Sequence, residues 1–292
     1  MKASDARVLY DVTLGDGGHA LRLLQAMSER ATLFGLDRDD EALKRAESRL
    51  APFRDRVRLL LGNFRDLSRL VEEAGIGEAD GILADLGVSH LHLTKPERGF
   101  MFSESGPLSM RMGPDADVDV ETVINEASEE ELAQIIREYG EESAYKKLAR
   151  AIVSRRIRHR LRTTGDLADV VRRVVRPPYV IKSMARVFQA FRIYVNREID
   201  NLRQFLPQAL ECLRVGGRLA VISYHSLEDR EVKDFYRTEA ASCICPPDFP
   251  VCRCGHVARL RPLGKLITPD ADEISGNPSA RSARMRLAEK IA

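Results

Sequence analysis

The chain has 292 residues, 44% of them hydrophobic and 31% charged, with 46 Lys and Arg against 44 Asp and Glu for a net charge of +2. That is the composition of a soluble globular protein, and no uninterrupted apolar run approaches the ~20 residues a bilayer-spanning helix needs. The length exceeds what one core usually sustains, so two domains, or one with a large insertion, are expected. No basic-then-apolar signal layout opens the chain, which points to the cytoplasm and away from membranes.

In chain order, apolar runs at 8–13, 32–36, 57–61 and 81–86 are strand-like, and each of the first three precedes a helical pattern. Within 39–50, Leu43, Ala46 and Leu50 share one face, while Glu41 and Arg45 form an i,i+4 pair on another. This alternation predicts a parallel, doubly wound sheet. Beyond Leu86 the rhythm stops. Residues 93–182 read as helices without strands, at 129–138, 143–160 and 165–176, the last ended by Pro177-Pro178. A long helix from 185 towards 213 follows, then Gly216-Gly217 and a strand over 218–223. The expected architecture is an α/β sheet domain over 1–92 and 185–292, interrupted by a helical insertion over 93–184.

A glycine turn, "DVTLGDGGHA", joins the first strand to the first helix, at the sheet edge where such folds bind ligands. Gly15, Gly17 and Ala20 fit the loose G-x-G-x-x-G/A pattern, and Asp37 ends the second strand about 20 residues on, where a carboxylate accepts from ribose hydroxyls. A nucleoside cofactor is expected, and Asp11, just before the turn, favours S-adenosylmethionine, whose cationic amino-acid end needs an acidic neighbour. Asp85 closes the fourth run at the same edge, where a carboxylate can hold an attacking amine; the plainer reading is a helix cap. His225, in "SYHSLEDR" after the fifth strand, returns there as a second proton acceptor or phosphate ligand, with Glu228 and Asp229 able to fix its tautomer.

Charge is unevenly spread. Acids dominate 115–142, whereas Arg150, Arg155, Arg156, Arg158, Arg160 and Arg162 crowd one short segment, a candidate RNA surface whose plainer reading is a solvated helix. Cys243, Cys245, Cys252 and Cys254 form two Cys-x-Cys pairs on a proline-rich loop. Four thiols so close can bind zinc, but the spacing is not the usual Cys-x-x-Cys knuckle, and we weigh a reduced loop above a metal site. Cys212, on a helix, is expected in the core.

The words "DVTLGDGGH", "GLDRD", "GNF", "GILADLGVS", "ERGF", "GPLSMRM", "YGEE", "FQAFRIYVN", "GGRLAVISYHSLEDR" and "NPSARSARMRLAEK" occur in order over nearly the whole chain. Together they resemble the bacterial small-subunit ribosomal RNA cytosine-N4 methyltransferases, the methyltransferase H family. The resemblance implies a Rossmann-like S-adenosylmethionine-dependent methyltransferase sheet domain with an inserted helical domain, acting on a cytidine in the decoding centre of 16S RNA within the 30S subunit. Cofactor contacts are implied at Gly17, Gly18, His19, Asp37, Phe64 and Asp85, with Phe64 against the adenine face. A further family contact, usually glutamine, falls on His92, within 89–94, which reads "SHLHLT" here. Ser109 stands where the family usually has aspartate. The family also usually carries about 20 to 30 residues with an apolar helix before the first strand, so the resemblance leaves two expectations open: part of the cofactor-pocket wall or sheet cover is missing, or the sequence is truncated. Arg98, Arg111 and Arg186 lie in family words near the predicted site and are expected on RNA phosphates. Two rivals are a non-catalytic ribosome-assembly factor of the same fold and a nicotinamide-dependent oxidoreductase.

Overall fold

The computed structural model describes every residue except 1, 90, 91, 93, 247, 248 and 250, so of 89–94 it describes Ser89, His92 and Thr94. Two compact units emerge, Met1–Gly87 with Ile199–Ala292, and Val88–Glu198. The strands are β1 (Val8–Asp11), β2 (Thr32–Asp37), β3 (Val57–Leu61), β4 (Ala79–Asp85), β5 (Leu213–Ser223), β6 (Leu260–Pro262) and β7 (Arg284–Lys290). The helices are α1 (Gly18–Ala26), α2 (Asp40–Leu50), α3 (Leu67–Glu73), α4 (Val120–Glu126), α5 (Glu129–Gly140), α6 (Tyr145–Arg158), α7 (Thr164–Val174), α8 (Val180–Asn196), α9 (Glu198–Cys212), α10 (Ser226–Glu239) and α11 (Ala271–Gly276).

The first unit holds one sheet in the order β3-β2-β1-β4-β5-β7-β6, parallel from β3 to β5 with β7 antiparallel to both neighbours. Pleating sends Leu9 and Leu33 to one face, against Leu24 of α1 and Ala46 and Leu50 of α2. Tyr10 and Phe34 go to the other, against Leu67 of α3, Phe205 and Leu210 of α9, and Val232 of α10. With both faces covered, the strands read as continuous apolar runs. The Asp39 side chain accepts from Glu41 N–H and starts α2 on the turn after β2.

β5 begins earlier than the sequence predicts. Leu213 pairs with Ala79 and Arg218 with Gly81, so residues 214–217 bulge opposite Asp80, whose carboxylate takes the Arg214 guanidinium. Gly216 sits at φ +82°, and a Cβ on Gly217 would stand 2.9 Å from Ala79 O, which explains the glycine pair. Cys212, expected in the core, is half-buried on the last turn of α9, its Sγ 3.9 Å from Ser68 Oγ.

The helical unit has a core of its own, including Leu132 and Ile136 of α5, Leu148 and Ile152 of α6, Leu167 and Val171 of α7, and Val187 and Phe191 of α8. Its helix starts are locally encoded: Asp119 caps α4, Ser128 caps α5, and Thr163 and Asp166 form a reciprocal capping box on α7. Here the expected divisions at 92/93 and 184/185 stand at 87/88 and 198/199. The single helix expected from 185 towards 213 is two, broken at Arg197 (φ +50°), and α8 stays with the helical unit because Met184, Val187, Phe188 and Phe191 are buried in that core. A Cβ on Gly140 would lie 2.8 Å from Arg186 O, so only glycine lets α5 approach α8 this closely. Among the described residues no helix is long and apolar enough to cross a membrane.

Candidate active site at the carboxyl edge of the sheet

β1 delivers Asp11 to the sheet edge, and the chain then turns before α1. Gly15 (φ +52°) and Gly17 (φ +77°) take left-handed conformations, and a Cβ on Gly17 would stand 3.3 Å from that of Ala46. Gly17 is the N-cap of α1, so Gly18 and His19 occupy its first turn, where backbone N–H groups have no partner within the helix. Asp37 ties the turn to β2: its Oδ2 accepts from Gly15 N–H at 2.7 Å and its Oδ1 from Asp39 N–H at 2.9 Å, which fixes the plane of the carboxylate.

Asp11 is only 1% exposed. Its Oδ1 accepts from Thr13 N–H at 3.3 Å, and its buried Oδ2 has no hydrogen-bond partner among the described residues. Burial pushes this carboxyl up to about 7, against the lowering influence of His19 and the Thr13 amide. Asp85 stands at the end of the adjacent β4. Its N–H donates to Thr13 Oγ1 at 2.6 Å, its Oδ2 lies 3.2 Å from His19 Nε2, and its buried Oδ1 has no hydrogen-bond partner among the described residues. The hydrogen bond to Asp85 raises the His19 pKa above its ordinary value, assisted by the Asp85 and Asp11 charges and opposed by burial. Tyr224 also hydrogen-bonds Asp85; burial and then the Asp85 charge push its phenol up. The ends of β1, β2 and β4 thus present Asp11, Asp37 and Asp85 around one glycine turn.

Beyond β3, Asn63 accepts from Arg65 N–H at 3.1 Å and opens a short turn that carries Phe64, half-buried and edge-on to Phe205 with ring centroids 5.2 Å apart. After β5, His225 caps α10: its Nδ1 accepts from Glu228 N–H at 3.4 Å and its Nε2 lies 3.1 Å from Glu228 Oε1. Nδ1 is thus held by its own helix, whereas Nε2, beside the Glu228 carboxylate, is buried without a hydrogen bond among the described residues. Glu228 also accepts from Tyr224 N–H at 2.9 Å, whereas Asp229, expected beside the histidine, pairs with Arg286 at 2.7 Å and Arg284 at 3.4 Å. Sequence reasoning missed Thr13, Tyr224 and Glu273. The first two lie inside motif words and were readable there; Glu273, whose charge acts on both His19 and Tyr224, sits in a stretch without a motif.

Other predicted residues lie in the helical unit. His92 is buried and stacked on Phe100 at 4.5 Å; Arg98 Nη2 lies 3.0 Å from its Nε2, and its Nδ1 lies 3.2 Å from both the backbone nitrogen and Oγ of Ser89. This occupies the side chain read as a cofactor contact. Arg98 also donates to Met112 O at 3.3 Å, Arg156 to Ile124 O at 2.8 Å, and Arg155 lies 3.7 Å from Asp166. Arg186 lies 3.7 Å from Glu142 Oε2, a buried carboxylate. Burial alone would raise Glu142, but the Ala144 amide, the Ser183 hydroxyl and the Arg186 charge hold it below its ordinary value. Arg111, which donates to Pro114 O at 3.2 Å, and Arg158 are exposed.

A profile of the MraW methylase family matches residues 1–291. The chain belongs to the MraW methylase family. The ribosomal RNA small subunit methyltransferase H of Heliobacterium modesticaldum is 46% identical, over 100% of this chain and 95% of the relative. That of Syntrophotalea carbinolica is also 46% identical, over 100% and 94%. Membership makes the chain a methylase on a Rossmann-like sheet, and it removes the nicotinamide reading of the glycine turn.

The four cysteines lie apart from this edge, on the loop between α10 and β6. Their sulfurs all fall within 4.8 Å of one another.

Proposed function

We propose that the chain transfers a methyl group from S-adenosylmethionine to the exocyclic N4 amine of one cytidine in the decoding centre of 16S ribosomal RNA, within the 30S subunit. One observation carries this reading: two buried carboxylate oxygens, Asp11 Oδ2 and Asp85 Oδ1, stand without hydrogen-bond partners among the described residues, at the ends of adjacent strands. Burying an unpaired charge is costly, so such a pair is retained where a ligand completes it. S-adenosylmethionine fits the donor set. Asp11 would hold its cationic amino-acid end, Asp37 its ribose hydroxyls and Phe64 its adenine, and the glycine turn lets backbone approach. When bound, it supplies an electrophilic methyl group on a sulfonium.

The rest of the chemistry falls to side chains. Cytosine N4 is conjugated with its ring, so its lone pair must be turned toward the methyl group and its departing proton needs an acceptor. Asp85 Oδ1 is that acceptor, while His19 and Tyr224 hold the carboxylate from its other sides. His225, which caps α10 beside the Glu228 carboxylate that accepts from Tyr224 N–H, is assigned to positioning the Tyr224 turn rather than touching the amine. Exposed Arg111 and Arg158 are the arginines we assign to phosphate contact; Arg98, Arg155, Arg156 and Arg186 already have partners within the helical unit and shape its surface. The target base must leave its stack to reach the site.

Incubation with labelled S-adenosylmethionine and undermodified 30S subunits, followed by nucleoside mass spectrometry, should reveal N4-methylcytidine. Cofactor binding without that product would instead identify a non-catalytic assembly factor.

A further inference from the structure

The crossover from β5 to β6 contains a second cluster that methyl transfer does not use. Cys243 Sγ lies 3.4 Å from Cys252 Sγ and 3.7 Å from Cys254 Sγ, and the last two are 3.6 Å apart. Cys245 completes the group, all four sulfurs lying within 4.8 Å of one another. A tetrahedral zinc with Zn–S bonds of about 2.3 Å requires sulfurs roughly 3.8 Å apart, so these separations are near those of a tetrathiolate.

Backbone amides converge on the same sulfurs. Cys245 N–H donates to Cys243 Sγ at 3.4 Å and Arg253 N–H to Cys245 Sγ at 3.4 Å. Cys254 Sγ accepts twice, from Ile244 N–H at 3.5 Å and His256 N–H at 3.4 Å. Amide donors stabilise thiolates over thiols, and the Cys243-x-Cys245 turn folds its own amide back onto its first sulfur as a metal-binding turn does.

Among the described residues of the loop there is no apolar core that could hold it in this shape. Ile244, Phe249, Val251 and Val257 are 52%, 51%, 67% and 62% exposed, and Cys243, Cys252 and Cys254 are exposed as well. Its exit is pinned: His256 Nε2 donates to Thr238 O at 2.9 Å, and Arg259 pairs with Glu239 at 2.8 Å and Glu211 at 2.6 Å. Between those anchors and the end of α10, uncharged thiols offer only weak attraction, and a segment this small and irregular needs a staple.

The geometry points to a structural zinc ion bound by Cys243, Cys245, Cys252 and Cys254. This site is distinct from the methyl-transfer edge. α10 starts at the carboxyl end of β5, and β6 runs parallel to β5 because β7 is antiparallel to both. The loop between α10 and β6 therefore lies at the amino edge of the sheet, opposite the glycine turn. Four protein ligands close the coordination sphere, so the ion clamps the crossover and takes no part in catalysis. Binding requires the thiols to give up their protons.

The test uses the full chain, expressed with zinc supplementation and purified under reducing conditions. Elemental analysis should find one zinc per chain, falling by roughly tenfold or more in the Cys245→Ser, Cys254→Ser double variant. Cobalt exchanged into the wild type should show thiolate-to-cobalt charge transfer and the ligand-field bands of a tetrahedral site, a readout that does not depend on the variant folding. Zinc loss should speed hydrogen exchange at the amides of 244, 245, 253 and 256 while calorimetric S-adenosylmethionine affinity stays unchanged. Substoichiometric zinc in the reduced wild type, stoichiometric iron in its place, disulfides among the four cysteines, or an octahedral cobalt spectrum would each overturn the assignment.

Discussion

Asp11 makes the stability of the fold depend on pH. Its carboxyl is raised from 3.8 to about 7 by burial, so between those values the folded protein holds a proton that the unfolded chain releases. Stability therefore falls as pH rises through that window, and the penalty is complete above it. Asp11→Asn should stabilise the protein by roughly 1–3 kcal/mol at about pH 8 and leave it unchanged near pH 3, as read by thermal melts. His19, raised through Asp85, slopes the same way, since its contribution is present below its unfolded value and lost through its folded one; a His19→Gln background separates the two. A cationic ligand beside Asp11 must expel its proton, so wild-type affinity for S-adenosylmethionine should strengthen from about pH 6 to 8 and calorimetry in buffers of different ionisation enthalpy should report proton release. Proton-neutral binding would detach Asp11 from the ligand. Asp85→Asn keeps the shape and loses the acceptor, so single-turnover methylation should drop by about 10²–10⁴ with cofactor saturating. A near-normal rate would remove Asp85 from the chemistry.

At the scale of elements, α6 shows how one helix divides its charge. Arg156 satisfies Ile124 O near the end of α4, and Arg155 faces Asp166 of the capping box, whereas Arg158 stands exposed on the last turn. Arg156→Ala should cost roughly 1–2 kcal/mol of stability, because a part-buried carbonyl loses its donor, and should leave the salt dependence of RNA binding unchanged. Arg158→Ala should do the reverse, lowering the salt slope by about one at constant melting temperature. A slope that answers to Arg156 instead would mean that the carbonyl contact breaks on RNA. Sequence periodicity found this helix and its arginines, but their division of labour depends on Ile124 and Asp166, which lie on neighbouring helices.

At the scale of the whole molecule, each unit has its own core, so damage to one should have its own signature. Leu148→Ala, in the helical core, should cost about 2–5 kcal/mol and raise hydrogen exchange across α5 to α8. Cofactor affinity should hold while RNA affinity falls. Phe205→Ala, in the sheet core, should cost roughly 3–5 kcal/mol and weaken cofactor binding as well, because Phe64 rests on that ring. Both variants read by calorimetry and exchange check the separation; equal effects on cofactor affinity would contradict it.

The sequence by itself determined the features that live within a short window. Strands β1 to β4 were legible because a sheet covered on both faces needs unbroken apolar runs, and Asp11, Asp37 and Asp85 were legible because each ends or nearly ends such a run. The left-handed glycines were visible as a turn for a similar reason: the backbone conformation is a property of the residue itself. Family membership was readable from ten words in order. Tertiary structure alone decided the partners. It broke the long helix at Arg197, kept α8 in the helical core, turned Arg98 onto His92, spent Asp229 on Arg284 and Arg286, and gathered four sulfurs from two separate Cys-x-Cys turns. Each of those outcomes rests on which distant side chain competes best for a hydrogen bond, an ion pair or a buried surface. Periodicity and spacing record the local preference of a segment, and the contest between segments is settled only when they meet in the fold.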